Sequence, residues 1–122
     1  MLEPAATVKI FQKQADPKIV EAGTAIFQAG QPANYMYGIL DGEVELQVDG
    51  KTVEVLSASS VFGIGALLGH ANRPYTAIAK TTCKLAFLDQ QRFLFAVQET
   101  PMFALNVMQT YSDRLDRLAH SL

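Results

Sequence analysis

Between Lys18 and Leu88 the apolar positions come in short runs, each closed by a glycine or a turn-forming pair. Lys18–Glu21 stops at Ala22-Gly23, and Thr24–Gln28 stops at Ala29-Gly30-Gln31-Pro32. Tyr35–Leu40 runs into Asp41-Gly42. In Glu43–Val48 the apolar Val44, Leu46 and Val48 alternate with polar residues, and Thr52–Leu56 alternates through Val53 and Val55. Thr76–Lys80 and Lys84–Leu88 flank Thr81-Thr82-Cys83 as a further pair. Alternation suits a half-buried strand, because successive side chains leave it on opposite faces. Asp41-Gly42 and Asp49-Gly50 both read as hairpin turns, where glycine accepts a positive φ. Many short strands with regular turns predict a sandwich or barrel of antiparallel strands.

The period changes after Leu88, and no glycine occurs from Gln90 onward. Asp89 suits the N-cap of a helix over Gln90–Gln98, and Thr100 that of a second helix with Pro101 in its first turn. In the second helix Ala104, Met108, Tyr111, Leu115, Leu118 and Leu122 recur at alternating spacings of four and three, a heptad-like seam. Asp113 and Arg117 are placed to pair at i,i+4. The seam either packs on its own β domain or meets a second copy, since a helix of roughly 20 residues is too short to hold a coiled coil alone. Residues 1–18 are mixed: Asp16-Pro17 reads as a turn, and Val8–Phe11 is too short to assign.

The chain of 122 residues fits one domain, and 49% hydrophobic against 18% charged residues supports a packed core and excludes disorder. No apolar run approaches a membrane span, and MLEPAATVKIF lacks a basic segment before a long apolar stretch, so neither a spanning helix nor a secretory signal is expected. Cys83 is the one cysteine, which excludes an internal disulfide or thiolate cluster and makes a reduced, cytoplasmic setting the expectation. A net charge of −2 does not suit a nucleic-acid surface. The distribution matters more. From Val55 to Leu88 there is no Asp or Glu, while Arg73, Lys80 and Lys84 give the window +3 and leave −5 for the rest.

Inside that window lies FGIGALLGHANRPYTA, residues 62–77. Its glycines would let backbone N–H groups approach an anion, and Arg73 would supply a planar, charge-assisted contact. The same stretch also reads as a tight corner whose acids are missing because it is mostly buried. His70 and Asn72 read first as loop residues, His120 as solvent-exposed and Cys83 as a small core residue. No nucleophile with a base, paired carboxylates or metal-ligand cluster is recognisable, so no enzyme is expected.

The ordered series Ala22-Gly23, Ile26-Phe27, Gly30-Gln31-Pro32, Tyr35-Met36-Tyr37 and Asp41-Gly42-Glu43-Val44 continues through Phe62-Gly63, Arg73, Ala77–Lys80 and Lys84–Asp89. It resembles the cyclic nucleotide-binding domain family, as in bacterial catabolite activators and protein kinase A regulatory subunits, over residues 18–115. The resemblance implies a mainly β fold with flanking helices: a jelly-roll-like β roll, or double-stranded β-helix, over 18–89 and C-terminal helices over 90–120, in one domain of residues 1–122. It implies a non-enzymatic sensor whose small anionic ligand is cyclic AMP or cyclic GMP, bound as a regulatory ligand with no other cofactor. A homodimer through Met108, Tyr111, Leu115 and Leu118 is the expected assembly. Neither a membrane nor direct nucleic-acid contact is expected.

The family's phosphate cassette falls at 62–75, which makes Phe62, Gly63, Ile64, Gly65, Ala66, Arg73, Pro74 and Tyr75 the expected ligand-binding residues. Arg73 takes the place of the phosphate-binding arginine. Ile64 stands where the family has a ribose-binding glutamate, and no acid in the window replaces it. A buried hydroxyl left without its partner costs about 1–3 kcal/mol, or about one to two decades in affinity. Pro74 has no N–H to offer, and Tyr75 either stacks on a base or fills the pocket. Residues that meet the base fall near Leu118-Ala119, both apolar. These departures keep open an alternative, a degenerate module retained for protein interaction and dimerisation.

Overall fold

The computed structural model describes residues 3–122; Met1 and Leu2, the start of the domain expected over 1–122, lie outside them. The strands are β1 Lys18–Val20, β2 Ala25–Phe27, β3 Met36–Asp41, β4 Val44–Val48, β5 Lys51–Leu56, β6 Val61–Phe62, β7 Thr76–Ala79 and β8 Cys83–Leu88. The helices are α1 Pro4–Phe11, α2 Gln90–Glu99 and α3 Met102–His120. All strand pairs are antiparallel, in two four-stranded sheets ordered β1-β8-β3-β6 and β2-β7-β4-β5. This is the expected β roll followed by helices. No helix of the described residues is long and apolar enough to cross a membrane.

Two expected hairpins are not hairpins. β3 and β4 lie in different sheets, so Asp41-Gly42 is a corner between layers. Gly42 is required there: φ is 95°, and a Cβ would lie 2.6 Å from the Thr82 carbonyl oxygen. β7 and β8 also part across Thr81-Thr82-Cys83, β7 joining β2 and β4 while β8 joins β1 and β3. Alternation reports that a strand has one buried face, not which strand lies beside it. Asp49-Gly50 does close β4 onto β5, with positive φ at both residues, 51° and 78°.

The helical end corrects three further expectations. Asp89 caps α2 as expected, its Oδ1 accepting from the Arg92 N–H at 2.8 Å. Thr100 supplies its carbonyl, not its hydroxyl, to the Phe103 N–H. Arg117 reaches Glu54 on β5, at 3.3 Å, instead of Asp113. The seam is divided as well. Met108 and Leu115 are 59% and 66% exposed, while Tyr111 and Leu118 are half-buried. The buried side of α3 runs instead through Phe103, Val107 and Arg114.

Two cores result. One lies between the sheets and holds Phe27, Tyr37, Ile39, Val44, Leu46, Phe62 and Leu85. The other lies between the β3–β8 sheet and the helices and holds Val8, Met36, Val61, Leu88, Ala96, Phe103 and Val107. β3 is therefore buried on both faces, which explains why MYGIL lacks alternation. The unassigned N-terminal segment is α1, a helix stabilised by docking on β3 rather than by its own eight residues. Its approach depends on Gly38, where a Cβ would lie 2.8 Å from the Ala5 Cα. Gly38→Ala is expected to lower unfolding free energy by about 1–3 kcal/mol, as overpacking does. Urea unfolding checks this, and an unchanged midpoint would contradict the docking.

Candidate functional site

β6 ends at Phe62, and the chain turns at Gly63, φ 79°, into a short 3-10 turn over Ile64–Leu67. A Cβ at 63 would also lie 2.9 Å from Arg73 Nη1, so both backbone and space call for glycine. The loop that carries Arg73 is fixed to the turn after β2. The Arg73 N–H donates to the Gln31 carbonyl at 2.8 Å, the Gly30 N–H donates to the Arg73 carbonyl at 2.8 Å, and the Ala33 N–H donates to the Ala71 carbonyl at 2.9 Å. Gly30-Gln31-Pro32 thus fixes the backbone on which the arginine stands.

Arg73 is 5% exposed. Its Nη1 donates to the Gly63 carbonyl at 2.9 Å and its Nη2 to the Tyr35 carbonyl at 2.5 Å. The guanidinium lies over the Phe27 ring, 4.0 Å from the centroid. Its Nε has no partner. No carboxylate pairs with it among the described residues, where the ion pair is Arg117–Glu54. Burial lowers its pKa from the ordinary value, and Tyr37, Tyr75 and Tyr111 act the other way. Arginine nevertheless stays charged. Two carbonyls and an aromatic face make such burial tolerable, but the charge itself is uncompensated.

The start of the cassette is occupied by tyrosines. The Ile64 N–H donates to the Tyr111 hydroxyl, from α3, at 3.1 Å. Tyr75 packs on Phe27 with ring centroids 5.6 Å apart. Burial foremost, then the nearby Tyr111, pushes the Tyr75 hydroxyl up to about 12, against the pull of Arg114, a Gly63 backbone hydrogen bond and Arg73. Burial likewise raises Tyr111, opposed by the Ile64 N–H and by Arg114 and Arg73. Arg114 is a second buried guanidinium. Its Nη2 donates to the Val61 carbonyl and to Ser60 Oγ, it lies 4.6 Å from the Tyr111 ring centroid, and its Nε is also unpartnered.

In front of Arg73 is a cavity of about 250 Å³ whose walls are mostly apolar. Of the expected residues, Gly63, Ile64, Gly65, Ala66, Arg73, Pro74 and Tyr75 line it. Phe62 does not: its ring is buried between the sheets and stacks on Tyr37, centroids 5.4 Å apart. Strand geometry decides this, since Val61 and Phe62 must face opposite cores. His70 and Asn72 stand exposed at the rim. The sequence pattern placed Tyr111 in the heptad seam, packed on its own β domain or on a second copy, and did not single out Arg114. The spacing of Phe103, Val107 and Arg114, at four and seven residues, was the available signal.

A family profile for the cyclic nucleotide-binding domain matches residues 17–100. The cAMP-dependent protein kinase regulatory subunit of Eremothecium gossypii is 33% identical over 78 residues, 64% of this chain and 17% of that protein. The global nitrogen regulator of Nostoc sp. is 29% identical over 123 aligned positions, 90% of this chain and 55% of that protein. The chain therefore spans between about a sixth and about half of these relatives' lengths. Among solved structures, the catabolite activator protein of Thermus thermophilus superposes with a TM-score of 0.77 over 98% of this chain and 57% of its own, at 22% identity. This chain belongs to the cyclic nucleotide-binding domain family.

The Tyr75 environment gives a pH dependence. Below pH 10 the folded and unfolded chains both keep its proton. Between pH 10 and about 12 only the folded chain keeps it. Stability is therefore lost as pH rises through that window, by up to about 1.4 kcal/mol per pH unit. Unfolding free energies measured from pH 9 to 12 should fall less steeply in Tyr75→Phe than in the parent; identical slopes would contradict the burial described.

Proposed function

We propose that this chain is a non-enzymatic, ligand-sensing regulatory module that takes a small anion at the 62–75 cassette and passes its binding to α3. The observation that carries this is the hydrogen bond from the Ile64 N–H to the Tyr111 hydroxyl. An anion drawn to Arg73 competes for that N–H, and α3 then loses a tie to the cassette. Binding and helix position become linked in both directions. Family membership makes cyclic AMP and cyclic GMP the first ligands to test, in a cytoplasmic setting and without a membrane or nucleic acid as partner. Ile64 and the apolar Leu118 weaken a nucleotide's hold on the site.

A second reading rests on a different observation. Leu105, Met108 and Leu115 form an exposed apolar stripe on α3. It suits a second copy, with or without a ligand. Leu115→Asp should then lower the dimer fraction in sedimentation velocity; a parent protein that is monomeric at high concentration would exclude this assembly.

Calorimetric titration tests the sensing reading. Cyclic AMP or cyclic GMP should give saturable heat, and Tyr111→Phe should tighten binding by about two- to tenfold, the value of one net hydrogen bond of about 0.5–1.5 kcal/mol. Absence of heat at millimolar nucleotide would exclude the nucleotide form. Unchanged affinity in Tyr111→Phe would exclude the competition.

A further inference from the structure

The cavity in front of Arg73 has a neighbour. Against α3 and the β4–β5 hairpin lies a second cavity of about 310 Å³, walled by Leu46, Val48, Val53, Leu115 and Leu118 and edged by Arg114. Tyr75 and Tyr111 belong to the walls of both cavities. They are shared wall residues, and the hydroxyl of Tyr111 is held by the Ile64 N–H at 3.1 Å. Both cavities are mostly apolar, and both meet these two rings.

The polar content of this space is specific. A guanidinium lines each part of it, Arg73 the first cavity and Arg114 the second. Arg73 gives two of its five N–H donors to carbonyls, one from each Nη. One carboxylate, Glu54, reaches the second cavity, and Arg117 holds it at 3.3 Å. The position that faces a ribose hydroxyl in the family is Ile64, which packs with the helical core.

We infer that this site selects an aryl-alkyl carboxylic acid, an anionic head on a flat apolar body, in preference to a cyclic nucleotide. The inference rests on the reading of Arg73 as the anion contact. The carboxylate matches the planar donors of Arg73. The ring displaces the Tyr75–Tyr111 partition and enters the second cavity, where it exchanges water for hydrocarbon contact. A nucleotide brings ribose hydroxyls and base-edge donors into the same space. Those groups surrender water without finding partners on Ile64 or Leu118.

The test is calorimetry on the full chain with sodium 2-naphthylacetate, 2-naphthylacetamide, cyclic AMP and cyclic GMP. The naphthylacetate should bind at least about tenfold more tightly than either nucleotide and than the neutral amide. Ile64→Glu, at a half-buried position that leaves Arg73 intact, should tighten both nucleotides by about tenfold and weaken the acid. Leu118→Asp should weaken the acid. A nucleotide that binds as tightly as the acid, or tighter, overturns the inference and leaves the anion-sensing reading standing. Failure of every anion to bind, or equal binding of acid and amide, overturns both.

Discussion

A buried guanidinium without a counter-ion among the described residues organises the cassette end of this domain. Arg73 gathers the Tyr35 carbonyl ahead of β3, the Gly63 carbonyl after β6 and the Phe27 ring on β2. Its own backbone is held by Gly30 and Gln31. Three stretches of chain therefore converge on one cation. Each contact lowers the cost of burying it, and none neutralises it. An acid-free window from Val55 to Leu88 keeps it that way.

The same economy of contacts explains how α3 belongs to the site. Arg114 holds the Val61 carbonyl, Arg73 holds the Gly63 carbonyl, and Tyr111 takes the Ile64 N–H between and beyond them. The cassette is thus gripped from the roll by one arginine and from the last helix by an arginine and a tyrosine. The cassette touches α3 through these hydrogen bonds and through Ile64, which packs in the helical core with Phe103 and Val107. Tyr75 and Tyr111 stand between the two guanidiniums and feel both charges.

Most of the fold was legible in the sequence. Glycine punctuation and alternation located the strands, and the loss of glycine after Gln90 marked the helices. Sheet membership was not legible: Asp41-Gly42 is a corner although its residues suit a hairpin, because the turn chemistry of the two overlaps at a positive φ. α1 was missed because its stability comes from Gly38, a residue far away in the chain. At the site, the position of Arg73 and the turn at Gly63 were readable from ordered motifs. The roles of Tyr111 and Arg114 were not: Tyr111 was counted in the heptad seam, whose Met108 and Leu115 face solvent, and Arg114 lies one residue off that seam. Phe62 was expected at the ligand as the first residue of the family's cassette, and strand alternation turns its ring into the inter-sheet core.

In the proposed module, ligand and Tyr111 compete for the Ile64 N–H. The most direct measurement follows the Ile64 amide and the α3 amides by 1H–15N NMR in the parent protein, in Tyr111→Phe and in the parent saturated with 2-naphthylacetate. Ligand and substitution should both move the Ile64 resonance and perturb the same set of α3 amides. Saturation that leaves Ile64 and α3 unmoved would contradict the competition.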